Sequence, residues 1–284
     1  MESLLTDLPR TLVALVIVAA LAATYWQGTA NARRAGLESS LGRVRITAFA
    51  LGLLVLFVAL SGPVEAAGAT WLIAVIGQQQ AIALVAAPLL LLGAPRWAFS
   101  LALPAALRRR VMSDGRLSSI ARTVFGPLPT LVIYFAAATI WYVPSIFAAM
   151  LRSGALRAGI QVILFAAALL FWAQVIPSRP ARPRLNYVMR ALYLGVAGVW
   201  SSVVGSFYMY SVDAYYPHYT ALVRPAGAAS ALVDQHLAGA VLDVPGVSIF
   251  FLGMAALIYL WLREDERQGA AAPVESPGGA ARVS

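Results

Sequence analysis

The sequence predicts an all-α, polytopic membrane protein: a seven-transmembrane-helix bundle with its N-terminus outside and its C-terminus in the cytoplasm. Three observations carry this. The chain of 284 residues is 61% hydrophobic and only 12% charged, a balance suited to lipid and not to a soluble core. Its apolar residues fall into seven runs. Its arginines gather in alternate connections between those runs.

The runs are Thr11–Trp26, Ile46–Leu60, Trp71–Gly93, Gly126–Tyr142, Leu156–Ile176, Tyr187–Tyr210 and Val244–Leu262. The first two are short for a span, so their helices are expected to extend into the flanks. Leu12–Ala23 can also be read as a signal peptide with A-A-T as a cleavage-like site, although the preceding M-E-S-L-L-T-D-L-P-R is acidic where a signal is basic. Ser61-Gly62-Pro63 ends the second helix, and Gly93-Ala94-Pro95 ends the third. Pro127 and Pro129 stand in the first turns of the fourth, where proline is tolerated. Pro177, Pro180 and Pro183 keep the next connection extended. The expected division is a membrane domain over 1–262 and a disordered cytoplasmic tail over 263–284, whose last part, Ala270–Ser284, is rich in Ala, Gly and Pro.

All 21 basic residues are arginine. Seventeen lie after the first, third and fifth runs or in the tail, among them Arg33, Arg43, Arg108-Arg109-Arg110, Arg182 and Arg267. The opposite face has only Arg10, Arg152, Arg157 and Arg224. The positive-inside rule then sets the orientation and requires an odd number of spans. The net charge of +9 is thereby explained by topology, and a nucleic-acid partner is not expected. Arg108-Arg109-Arg110 reads as a topology anchor, with an anionic-lipid contact as a secondary role.

Polar groups inside the runs are the candidate site. Gln78, Gln79 and Gln80 sit roughly 10–13 Å in from Trp71 at about 1.5 Å per residue. Amides at that depth need partners on other helices or in a wet cavity. Gln161, in the fifth run, is expected to reach Gln78 or Gln79. Tyr142 closes the fourth run, and Asp234-Gln235-His236 precedes the seventh, with Asp243 and a helix-breaking Pro245-Gly246 just below. Asp234 and His236, two apart on a helix, point about 200° away from each other. Asp234 is expected either to bond inward to the glutamines and Tyr142 or to cap its own helix. His236 is expected to face the loop or a partner. The plainer reading of the glutamines is packing glue between helices, and that of Trp71, Trp141, Tyr142, Tyr208 and Tyr210 is an interfacial belt.

The chain has no cysteine, and its two histidines, His218 and His236, lie in the connection between the sixth and seventh runs with Met209 nearby. A His and Met donor set suits copper, but no close histidine pairing is present, so these are weak metal candidates. No phosphate loop, nucleophile triad or paired carboxylate points to catalysis, and the chain is not expected to be an enzyme.

Four segments carry a family resemblance: A-A-P-L-L-L-L-G-A-P (Ala86–Pro95), V-P-S-I-F-A-A-M-L-R-S (Val143–Ser153), L-L-F-W (Leu169–Trp172) and D-Q-H-L-A-G-A-V-L-D-V-P-G (Asp234–Gly246). Together they resemble the CtaG family of cytochrome c oxidase assembly factors over most of residues 45–262. The resemblance implies a seven-span protein of the bacterial inner, or plasma, membrane that helps deliver copper to the oxidase and contacts its subunits. Val143–Ser153 looks like the family's short outer loop. The family's H-M-x-Q-H motif corresponds to Val75, Ile76, Gly77, Gln78 and Gln79. Further family histidines correspond to Tyr142, Arg157 and Gln161. By this resemblance the chain is a divergent member that keeps the scaffold without the usual intramembrane histidines. Copper binding remains possible by resemblance only. Two other readings stand beside assembly: an accessory or structural subunit of a respiratory complex, and a small-solute transporter lined by glutamine.

Overall fold

Proline and glycine set where this chain bends, and apolar length sets where it does not. The computed structural model describes residues 2–34, 42–93, 126–176 and 185–271, and every element among them is helical. α1 (Glu2–Arg34) leans on α2 (Arg43–Ala59) and α3 (Gly62–Thr70). α2 and α3 meet at 47°, at the Ser61-Gly62-Pro63 break, with Pro63 in the first turn of α3. α4 (Leu72–Gly93) crosses the middle of the bundle. α5 (Pro127–Tyr142) bends by 75° into α6 (Pro144–Arg152) at Val143, a residue held extended by the proline after it. Then come α7 (Gly154–Val175), α8 (Tyr187–Met209), the short α9 (Pro217–Thr220) and α10 (Ala231–Ala271).

Five of these helices are long and apolar enough to cross a membrane alone, and the count reaches seven if each bent pair is one span. The chain is therefore an all-helical, polytopic membrane protein. Apolar side chains such as Val162, Val199 and Leu252 stand exposed on its flanks, as lipid-facing residues do.

Three expectations need correction. Val143–Ser153 is not a loop: Pro144 opens a helix whose Phe147 and Met150 are buried. Pro245-Gly246 does not break the last helix, which starts at Ala231 and runs through both. That helix also passes Leu262 to Ala271, into the segment assigned to a tail. Residues 35–41, 94–125, with Arg108-Arg109-Arg110, 177–184 and 272–284 lie outside the described residues.

The bundle has two distinct ends. At the arginine end, Tyr25 Oη donates to the last carbonyl of α4, Gly93, at 3.1 Å, and the Tyr25 ring stacks on Phe49. At the aromatic end, the N-terminus of α4 meets α6, α9 and the start of α10, with Leu72, Trp141, Phe147 and Tyr219 buried together.

Two spans carry an interior proline, and each is rescued by a different helix. Pro88 in α4 is preceded by a π-helical segment, Ala81–Ala86. The wider turn eases the clash between the proline ring and the preceding turn. In a π register the carbonyl of Ala83 would accept from residue 88, which has no N–H. Trp172 Nε1 of α7 donates to that carbonyl instead, at 2.9 Å. Pro245 in α10 withholds the donor for Val241 O, and in the same turn Ser201 Oγ of α8 donates to the next carbonyl, Leu242 O, at 2.8 Å. Such completion by a neighbouring helix is what lets proline persist inside a membrane.

α8 and α10 form the most extensive pairing in the bundle. It rests on Gly239, Gly246 and Gly253, spaced by seven residues, facing Gly205, Ser201 and Leu194. A Cβ on Gly239 would lie 2.6 Å from Met209 N and 2.7 Å from Gly205 O. Backbones approach this closely only where both side chains are absent.

Candidate functional site

The aromatic end collects most of the buried polar groups, and Asp234 organises it. α4 begins at Leu72 after Trp71, whose side chain caps nothing. Its first N–H groups would be orphans in a buried setting. Asp234, from the first turn of α10, accepts from Leu72 N at 2.8 Å and from Ile73 N at 3.2 Å. It is thus the N-cap of a helix 162 residues away. Neither expectation for Asp234 holds. It bonds neither to the glutamines nor to its own helix end, where Ser230 Oγ accepts from Val233 N at 3.2 Å.

Arg224 neutralises this buried carboxylate. Its Nη2 lies 3.3 Å from Asp234 Oδ2, its Nη1 donates to Ala229 O at 2.9 Å, and its guanidinium lies 4.3 Å from the Trp71 ring centroid. Asp234 is 1% exposed, so the pair has almost no solvent to fall back on.

The next two residues hold the loop after α8. Gln235 accepts from Tyr215 N at 2.8 Å and donates to Ser211 Oγ at 2.6 Å and Asp213 O at 3.0 Å. His236 Nε2 donates to Ser211 O at 2.9 Å. The angular separation of Asp234 and His236 is therefore used: one side of the helix holds α4 and the other holds the loop. His218 Nε2 donates to Ala69 O at 2.9 Å. Both histidines are engaged at Nε2 on carbonyls of different segments, and no group of three or more His, Cys, Asp or Glu suited to a metal occurs among the described residues.

A tyrosine chain joins the same loop to the bundle. Tyr216 Oη donates to Tyr142 O at 3.0 Å, so the bond between Tyr208 and Tyr216 runs from Tyr208. Tyr219 Oη donates to Gly68 O at 2.7 Å. Burial pushes the Tyr216 and Tyr219 hydroxyls well above the usual phenol range, which keeps both as donors. Trp141 and Tyr208 are 1% and 3% exposed. They are core residues and not an interfacial belt, whereas Tyr210, at 75% exposed, stands on the outside.

The glutamines do not form one cluster. Successive residues on a helix point about 100° apart, so three in a row fan across α4. Gln78 Nε2 donates to Ala59 O at 2.6 Å, completing the end of α2. Gln79 and Gln80 line a cavity of about 40 Å³ with Thr139, Tyr142 and Ser201. Gln79 Oε1 and Trp141 Nε1, both at that cavity, are buried without a partner. A space of this size holds a water, which could bridge them. Gln161 faces a different and larger cleft on the other side of α4. Arg157 lies 3.8 Å from Glu65 of α3.

Sequence reasoning did not single out Ser211, Tyr215, Tyr216, Tyr219 or Arg224 as site residues. Arg224 carried a signal, as one of the few arginines on its face of the bundle. The loop tyrosines and Ser211 carried none, because their partners are backbone atoms brought close only by the fold.

No match was found among curated proteins or among solved structures. The family model for the cytochrome c oxidase caa3 assembly factor (Caa3_CtaG) matches residues 23–264, from α1 into α10, and the chain belongs to that family.

Proposed function

We propose that this protein acts in the biogenesis of a respiratory terminal oxidase, as a non-catalytic assembly factor that contacts oxidase subunits in a bacterial plasma membrane. The observation that carries the reading is the family match over nearly the whole bundle. The arginine distribution supports an N-terminus outside and a C-terminus in the cytoplasm. On that orientation the Asp234 latch, His218 and His236 face the outside.

The supporting chemistry separates the role from metal retention within the membrane. Val75, Gln79, Tyr142, Arg157 and Gln161 offer an alkyl group, two amides, a phenol and a guanidinium already paired with Glu65. Amide, phenol and guanidinium groups are poor partners for copper. Gln79 and Tyr142 line one cavity and Gln161 another. Copper is then cargo of the oxidase pathway and not a resident of these positions. One tightly bound copper per purified chain, surviving dialysis, would contradict this part.

The deciding experiment deletes the gene and measures oxidase activity and membrane copper. Loss of oxidase activity, restored by the intact gene, is the expected result. Unchanged oxidase activity would end the assembly reading. Stable co-purification with mature oxidase would favour an accessory subunit over an assembly factor.

A further inference from the structure

The cleft that Gln161 faces has a volume of about 350 Å³ and lies between α1, α2, α3, α4 and α7. Its floor is Ala14, Leu56 and Ile82, all buried. Its rim is Val13 and Val162, which are 60% and 63% exposed. The cleft therefore opens sideways, onto the same surface as the lipid-facing valines.

One end of the cleft is polar. Glu65 lines it, paired with Arg157, and Gln161 stands one turn below Arg157 on α7. Gln161 is 7% exposed, and its Nε2 is buried without a partner. An amide N–H₂ left unbonded in an apolar setting is costly. The missing group must be an acceptor. From Gly154 to Phe165, α7 advances roughly 16 Å, about half the thickness of a hydrocarbon core. The cleft thus has the depth of one leaflet, polar towards the membrane edge and apolar towards the midplane.

We infer that this cleft is a binding site for a membrane lipid, one acyl chain lying between α1 and α7 and its ester carbonyl accepting from Gln161 Nε2. A docked transmembrane helix from another protein fits less well. Its backbone carbonyls are already bonded within the helix, so it brings few free acceptors to the depth of Gln161. A lipid ester carbonyl is free and sits on the border between head group and chain. The neighbouring Arg157–Glu65 pair is neutral as a unit, so the site selects the glycerol ester and not an anionic head group.

The test uses the full chain in nanodiscs containing a phospholipid with a photoactivatable diazirine in its acyl chain. Adducts are mapped by mass spectrometry, with the exposed surface of α8 around Val196 and Val203 as reference. Wild type should concentrate adducts on α1 around Val13 and Ile17 and on α7 around Ala158 and Phe165. Ala158→Trp fills the cleft and should reduce those adducts to the reference level, while Val196→Trp leaves them unchanged. Gln161→Leu keeps the shape and should lower occupancy by about threefold to tenfold, the worth of one hydrogen bond inside a membrane. Thermal melts report whether each variant is folded, and Gln161→Leu decides the matter if Ala158→Trp is not. Adducts spread evenly over α8 and the cleft in wild type would overturn the proposal. So would undiminished cleft adducts in a folded Gln161→Leu, or cross-links between two copies of the chain at these positions in place of lipid.

Discussion

Two regions of the bundle meet the same need by different chemistry. At the aromatic end, the free N–H groups of α4 are bonded by a carboxylate, Asp234. Mid-bundle, the carbonyl left open by Pro88 and a carbonyl in the turn before Pro245 are bonded by neutral donors, the Trp172 indole and the Ser201 hydroxyl. In every case the partner comes from a different helix, so helix completion is also tertiary structure. The difference is where charge is used. Asp234 has a counter-charge, because Arg224 reaches it from the adjoining loop at 3.3 Å. Around Pro88 and Pro245 the neighbours are Ala, Leu and Phe, and an ion there would have no such partner.

This contrast ranks the variants. Asp234→Ala should be the most damaging, because it removes two helix-capping bonds and leaves the partly buried Arg224 without its counter-charge. The expected cost is about 3–5 kcal/mol, read as a large loss of folded protein and a lower melting midpoint. A loss no greater than that of a surface substitution would mean that the latch is not structural. Asp234→Asn keeps the shape but not the charge. Its amide oxygen accepts one N–H, while its NH₂ is turned against the second N–H or against Arg224. A cost of about 1.5–3 kcal/mol is expected, the worth of hydrogen bonds to a charged group. Equal behaviour of Asn and wild type would show that charge contributes nothing there.

The sequence revealed a helical chain of several membrane-length segments, the break at Ser61-Gly62-Pro63 and the opposed directions of Asp234 and His236, because these follow from apolar length, Pro-Gly punctuation and helical angle. It did not reveal what satisfies the helix interiors. Pro88 sits in a run otherwise apolar enough to hide its consequence, and nothing local says that Trp172 lies opposite Ala83. Pro245-Gly246 looked like a break because local rules weigh a proline without knowing that Ser201 stands beside it. The Gly239, Gly246 and Gly253 spacing was visible, but its meaning depends on which helix it faces. The three glutamines were misread as one cluster because depth was considered and direction round the helix was not.

The Trp172 bond is the next step down in size. Trp172→Phe keeps an aromatic ring against Phe250, which it now stacks on at 5.9 Å, but removes the donor to Ala83 O. The expected cost is about 1–2 kcal/mol, the range found for interhelical hydrogen bonds, measured as a shift of the melting midpoint. Pro88→Ala should shrink that cost, because an alanine at this position supplies the N–H that proline lacks. If Trp172→Phe costs the same in both backgrounds, the indole is packing and not completing α4.

Ser201 provides the smallest and cleanest test. Its hydroxyl can always turn back to its own helix, as Ser248 does towards Val244 O at 2.6 Å. The alternative bond lowers the net worth of the one to Leu242 O. Ser201→Ala should therefore cost about 0.6 kcal/mol, near the mean for such bonds in membranes. Pro245→Ala gives α10 back its donor and relaxes the turn that contains Leu242. The same serine substitution should then cost almost nothing, and a double-mutant cycle reads the difference directly. Coupling of the expected sign would show that Ser201 serves the proline. Additive costs would show that the serine is only a small residue at a close seam, as Gly205 is against Gly239, and that α10 tolerates Pro245 without help from α8.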